Sequence, residues 1–139
     1  LVLFPIWVRG TLRGAGSWYS PGSLLRVEVD TKHPLALGMP EEAVIMTTGG
    51  QAFEVTLSEE ANRGERAANP VVWYAKKDLL ASGWVTGEGA VTGKPAMVEA
   101  RMGAGRVVLF GFRTQFRAQS FGTFKLLLNA IYLGAAREL

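Results

Sequence analysis

The sequence predicts a strand-rich α/β domain, a mixed sheet with one C-terminal helix; a mostly β, α+β unit is the alternative. Three observations carry this. Seventeen glycines fall mostly between apolar runs, the pattern of short strands joined by turns. Leu25–Asp30 and Ala96–Met102 each alternate apolar and polar residues with a period of two. Phe124–Ala135 carries apolar residues at helical spacing. The 139 residues amount to one domain, and 48% hydrophobic against 19% charged residues is enough to bury a core. The chain opens on Leu1 rather than Met, so an excised piece or processed product is expected.

The elements follow in order. Leu1–Val8 is apolar but far short of the ~20 residues of a membrane span, and is expected as a buried strand or the ragged start of an excised piece. Residues 10–23 read as a long glycine- and serine-rich loop. Leu25, Val27 and Val29 form the buried face of a strand, with Arg26, Glu28 and Asp30 opposite. His33-Pro34 and Gly38-Met39-Pro40 punctuate the turn that follows. Ala43–Thr48 and Gln51–Leu57 flank Gly49-Gly50, which suits a tight hairpin because glycine tolerates positive φ at both central positions.

Ser58–Asn69 holds nothing apolar beyond alanine and reads as an exposed loop. Val71–Ala75 is a strand, Leu79–Thr86 contains another, and Gly87–Gly93 connects onward. Ala96, Val98, Ala100 and Met102 share one parity, with Glu99 and Arg101 on a wet face. Gly103-Ala104-Gly105 then turns into Val107–Phe112, a continuous apolar run expected to be covered on both faces. In the helix, Phe124, Leu127, Leu128, Ile131 and Ala135 form the stripe expected to face the core, widened by Leu126, Ala130 and Leu133. Thr123 or Ser120 is placed to cap its start.

Several chemistries are excluded by what is missing. The net charge is +3, yet the cations are scattered and form no dense cluster of the kind that tracks phosphates, so no nucleic-acid partner is expected. No stretch approaches spanning length, so no membrane span is expected either. There is no cysteine, hence no thiol nucleophile, disulfide or zinc–thiolate site. His33 is the only histidine; alone, and followed by Pro34, it cannot supply the ligand pair of a catalytic zinc site. Its expected role is structural, with the ring bonding a neighbouring backbone group. No Gly-x-Ser-x-Gly elbow or phosphate-binding glycine pattern occurs. Catalytic residues and metal ligands are therefore expected to be absent.

One segment stands apart. Arg113–Ser120 is a polar, donor-rich loop between the last strand and the helix. Arg113, Gln115, Arg117 and Gln119 are its candidate binding or docking residues, and the two arginines could clamp a carboxylate or another anion. Pairing with acids inside the molecule, or with the loop's own carbonyls, is the structural alternative.

Tyr19–Asp30, His33–Ala36 and Gly38-Met39-Pro40 resemble the C-terminal region of large bacterial zinc carboxypeptidases. So do Gly93–Ala96, the run Gly103–Arg113, and Gln115–Phe124 leading into the helix. In those proteins a carboxypeptidase A-like metallopeptidase domain precedes a tail similar to class I glutamine amidotransferases. The resemblance covers most of residues 18–133. It implies that residues 1–139 are a single accessory domain, or a fragment of one, from the C-terminal end of a larger protein. The fold implied is amidotransferase-like, whole or only its C-terminal half.

The departures matter as much. The peptidase's His-x-x-Glu is absent, so zinc is expected only in the parent peptidase domain and this segment needs no cofactor. The amidotransferase cysteine is absent, and Arg113–Arg117 stands where that fold's catalytic histidine would follow its strand. What the resemblance implies is a non-catalytic accessory domain that packs on or orients the peptidase domain of the same chain, in a periplasmic or secreted setting. The alternative is an independent anion-, peptide- or glycan-binding module centred on residues 113–120.

Overall fold

A computed structural model describes residues 6–10, 18–49, 51–57, 68–102 and 105–135. Its strands are β1 (Ile6–Gly10), β2 (Ser23–Val29), β3 (Glu42–Thr47), β4 (Phe53–Leu57), β5 (Ala68–Tyr74), β6 (Leu80–Ser82), β7 (Pro95–Met102) and β8 (Gly105–Phe110). The helix, α1 (Phe124–Ala135), is entered through the 3-10 turn Phe121–Thr123. Residues 58–67 of the exposed loop expected at Ser58–Asn69, the loop residues 11–17, residues 1–5, and the turn residues Gly50 and Gly103-Ala104 lie outside the described residues. The last two residues of that expected loop, Ala68 and Asn69, instead open β5, with Ala68 buried.

The domain is mostly β. Six strands form one sheet in the order β3-β2-β5-β7-β8, with β6 also paired to β2, and β1 and β4 form a separate two-stranded ribbon. Every described pairing is antiparallel. The mixed sheet of the first expectation is thus corrected to the α+β alternative. The reason is connectivity: parallel neighbours need a long crossover, usually helical, and α1 comes after the last strand. The sheet curls into a half-barrel. Beyond β8 the chain returns to the opposite edge, where the Arg113 N–H donates to the Met46 carbonyl at 3.0 Å.

That return also explains why Gly49-Gly50 makes no hairpin. β3 pairs with β2, whereas β4 pairs with β1. Between them the chain bonds across the barrel mouth, with the Gln51 N–H donating to the Gly111 carbonyl at 2.7 Å.

β2 behaves as its alternation predicts, with Leu25, Val27 and Val29 buried and Arg26 and Glu28 exposed. Pro70 lies within β5, where the register to β7 shifts, the kind of irregularity that tolerates a missing N–H. β7 departs from expectation. Val98 and Ala100 pack beneath Phe53 and Val55 of β4, while Met97 joins the main core with Leu35 and Leu126. Both faces are covered, so Glu99 on the supposed wet face is only 2% exposed. β8 reverses the other way. Expected to be the most buried strand, it is an edge strand that pairs, among the described residues, with β7 alone, with Val107 exposed and Val108–Phe110 half-buried.

The helix buries the residues expected to widen its stripe and exposes much of the stripe itself. Leu126 is fully buried, and Ala130 and Leu133 pack against the core. Asn129 fixes this orientation by donating to the carbonyls of Leu35 and Leu37, each at 3.0 Å. Leu128 and Ile131, from the stripe expected to face inward, are 47% and 60% exposed. Leu126→Ala is therefore expected to cost about 3 kcal/mol, whereas Ile131→Ala in the free domain costs under about 1 kcal/mol. Urea denaturation of the two variants measures this; the reverse order would mean that the helix is rotated.

Candidate functional site

The 113–120 loop begins where β8 ends and is tied down at both ends. The Arg113 backbone is bridged to β3, and its Nε donates to the Thr48 hydroxyl. At the far end, the Ser120 hydroxyl accepts from the Phe116 N–H at 3.1 Å. The Thr123 hydroxyl donates to the carbonyls of Thr114 at 2.8 Å and Ser120 at 3.1 Å. The two hydroxyls expected to cap α1 thus brace this loop instead.

Inside these anchors lies a stack. The guanidinium carbons of Arg113 and Arg117 each sit 5.4 Å from the centre of the Phe116 ring. This contact between cation and ring face is worth about 0.5–1 kcal/mol at exposed sites. It sits at an unusual turn, closed by the Gln119 N–H donating to the Phe116 carbonyl at 2.9 Å, with Arg117 and Ala118 at φ of 49° and 54°, a left-handed conformation that residues with a Cβ rarely adopt. Neither arginine pairs with a carboxylate among the described residues, whose ion pairs are His33–Glu99, Arg106–Glu99 and Lys94–Glu54. Of the four predicted residues, the structure brings Arg113 and Arg117 together around Phe116. Gln115 and Gln119 are exposed on the same loop, and Gln119 lines a groove on its helix side.

That groove, of about 500 Å³, runs between β3 and the start of α1, with Met39, Val44, Met46, Phe121 and Lys125 among its lining. Further along, on the outer face of the helix, Leu128, Ile131 and Tyr132 are exposed, Tyr132 at 72%, and Phe121 at the groove is 70% exposed. The pattern alone did not assign this face, but its signal is in the sequence. From Leu126 to Leu133, only Asn129 is polar. A helix apolar all round belongs in a fully buried setting.

The chain matches no family model, no curated protein and no solved structure.

A second polar cluster centres on Glu99. Glu99 is flanked by His33 Nε2 at 3.3 Å and Arg106 Nη1 at 3.2 Å. His33 Nδ1 accepts the Leu35 N–H at 3.2 Å, which caps the 3-10 turn Pro34–Ala36. Both ring nitrogens thus have partners within the fold. Among the described residues, no group of three or more His, Asp or Glu side chains is arranged to hold a metal ion. No described helix is long and apolar enough to cross a membrane.

Proposed function

We propose that this chain is a non-catalytic accessory domain that docks, through the outer face of α1, on the zinc metallopeptidase domain of a larger bacterial polypeptide. The carrying observation is the uncovered apolar face formed by Phe121, Leu128, Ile131 and Tyr132 on a helix whose opposite face already fills the core. Contiguous exposed apolar surface of this kind marks an interaction site, and covering each of these side chains would contribute on the order of 1 kcal/mol.

The choice of partner rests on the sequence resemblance at Tyr19–Pro40 and Gly93–Phe124 to the tails of bacterial zinc carboxypeptidases. That resemblance also suggests a periplasmic or secreted setting, with zinc held by the partner domain. From the amidotransferase-like tail we retain only the order of strand, polar loop and helix across residues 105–135; the sheet itself follows the mostly β alternative.

The test has two parts. The gene upstream of the Leu1 codon is expected to encode a His-x-x-Glu and a distant His; their absence overturns the choice of partner. In the full-length protein, Ile131→Ser with Tyr132→Ser is expected to free this domain to limited proteolysis and split one unfolding transition into two. An unchanged single transition would remove the docking face from the proposal.

A further inference from the structure

We infer that the Arg113–Phe116–Arg117 stack is a binding site for a small ligand carrying two oxyanion groups, carboxylates or phosphates. This inference uses different residues from the docking face of α1 and stands independently of it.

The guanidinium carbons of Arg113 and Arg117 each lie 5.4 Å from one ring centre, so they are no more than twice that distance apart. No carboxylate among the described residues neutralises either of them. Stacking engages the face of a guanidinium and leaves its in-plane N–H groups pointing outward. Among the described residues Arg113 spends only Nε, on Thr48, so its terminal N–H groups are available there, as are those of Arg117. In-plane pairs of N–H donors are the geometry that recognises carboxylate and phosphate bidentately.

The backbone gives an independent reason. Two successive non-glycine residues in the left-handed region cost on the order of 1 kcal/mol or more each. Strain of this size persists only where surrounding structure enforces it, and it concentrates at functional sites. Here the Gln119 N–H closes the turn by donating to the Phe116 carbonyl at 2.9 Å, Ser120 and Thr123 brace its flanks, and the two left-handed residues are Arg117 and Ala118. The turn thus holds Arg117 beside the ring, and part of the ordering cost of ligand binding is met before the ligand arrives.

A ligand with one anionic group would engage one guanidinium, whereas two groups on a short spacer can bridge both. Citrate and pyrophosphate are suitable probes for the carboxylate and phosphate arms, with acetate and inorganic phosphate as single-group controls. Titrations of the whole chain, followed by amide chemical shifts, are expected to saturate for at least one bridging probe. Shifts should concentrate in residues 113–120, with affinity at least tenfold above that of the matching control.

Arg113→Gln and Arg117→Gln are each expected to weaken binding tenfold or more. Phe116→Leu keeps both charges but loses the stack, and is expected to weaken binding several-fold. Lys76→Gln removes an equal charge elsewhere and is expected to change affinity less than twofold. Which probe saturates names the ligand's source. Saturation by neither probe, equal loss in Lys76→Gln and Arg117→Gln, or full affinity in Phe116→Leu would each overturn the site.

Discussion

Gly111→Ala is expected to cost the domain on the order of 3 kcal/mol or more, enough to unfold a protein of ordinary marginal stability at modest temperature. Gly111 is the point where the half-barrel is laced shut. Its N–H donates to the Ala96 carbonyl at 2.8 Å, and its own carbonyl accepts from Gln51 at 2.7 Å. A Cβ added there would overlap the Gln51 carbonyl oxygen and sit 3.0 Å from that of Ala96. Both obstacles are backbone, so neither can rotate away as a side chain would. Relief requires the 48–52 crossover to lift off the end of β8, and with it the bridge that positions Arg113. Gly134→Ala is the control: nothing lies within 4 Å of its added Cβ, and it sits in α1, where alanine is the better helix former by up to about 1 kcal/mol. Urea denaturation of both variants gives the comparison. A Gly111→Ala midpoint within error of wild type would mean that the closure is not as tight as described.

How much of this was legible in the sequence depended on how one-sided each element is. β2 was legible because one of its faces meets the core and the other meets solvent, so its alternation survives in the residue types. β8 was not. A continuous apolar run suits a strand buried on both faces, and nothing in Val107–Phe110 announces that it ends the sheet with a single partner. α1 misled for a related reason. With Leu126–Leu128 and Ala130–Leu133 all apolar, several stripes fit the helical period equally well, and only the Asn129 bonds to Leu35 and Leu37 select the face that is buried. Glu99 looked wet because alternation counts residue types, whereas its burial is set by His33 and Arg106 from other elements.

The candidate site was half legible. Arg113 and Arg117 stood out as donors in a polar loop, but the ring between them did not. The stack depends on a left-handed turn at Arg117–Ala118, and neither residue type signals one as a glycine would. The hydroxyls that brace the flanks of the turn were read as helix caps, since Ser120 and Thr123 precede α1 at capping distance. In the fold they hydrogen-bond back into the loop, because the 3-10 turn Phe121–Thr123 delays the start of the helix.

Tyr74 yields a large pH effect whose sign is fixed by its burial. Its side chain is fully enclosed, its ring lies edge-on to Trp18 at 6.3 Å, and its hydroxyl donates to the Gln51 carbonyl at 3.0 Å. Burial pushes the phenol well above the ordinary tyrosine pKa of 10, because the phenolate would be stripped of water. In the unfolded chain the phenol titrates normally. Above pH 10 the unfolded state therefore binds fewer protons than the folded one, and stability falls by about 1.4 kcal/mol per pH unit until the folded pKa is reached. The contribution is fully present below pH 10 and is lost as pH rises beyond it. Tyr74→Phe removes the titration and the hydrogen bond together. At pH 7 the variant is expected to be about 1 kcal/mol less stable than wild type. By pH 12 the tyrosine has lost about 3 kcal/mol that the phenylalanine keeps, so the variant is then the more stable by about 2 kcal/mol. The other titrating groups are common to both proteins and cancel in the difference. Urea midpoints measured from pH 7 to pH 12 are expected to cross near about pH 11. Parallel curves over that range would mean that the phenol is reached by solvent, and with it the mouth that Gln51 and Gly111 close.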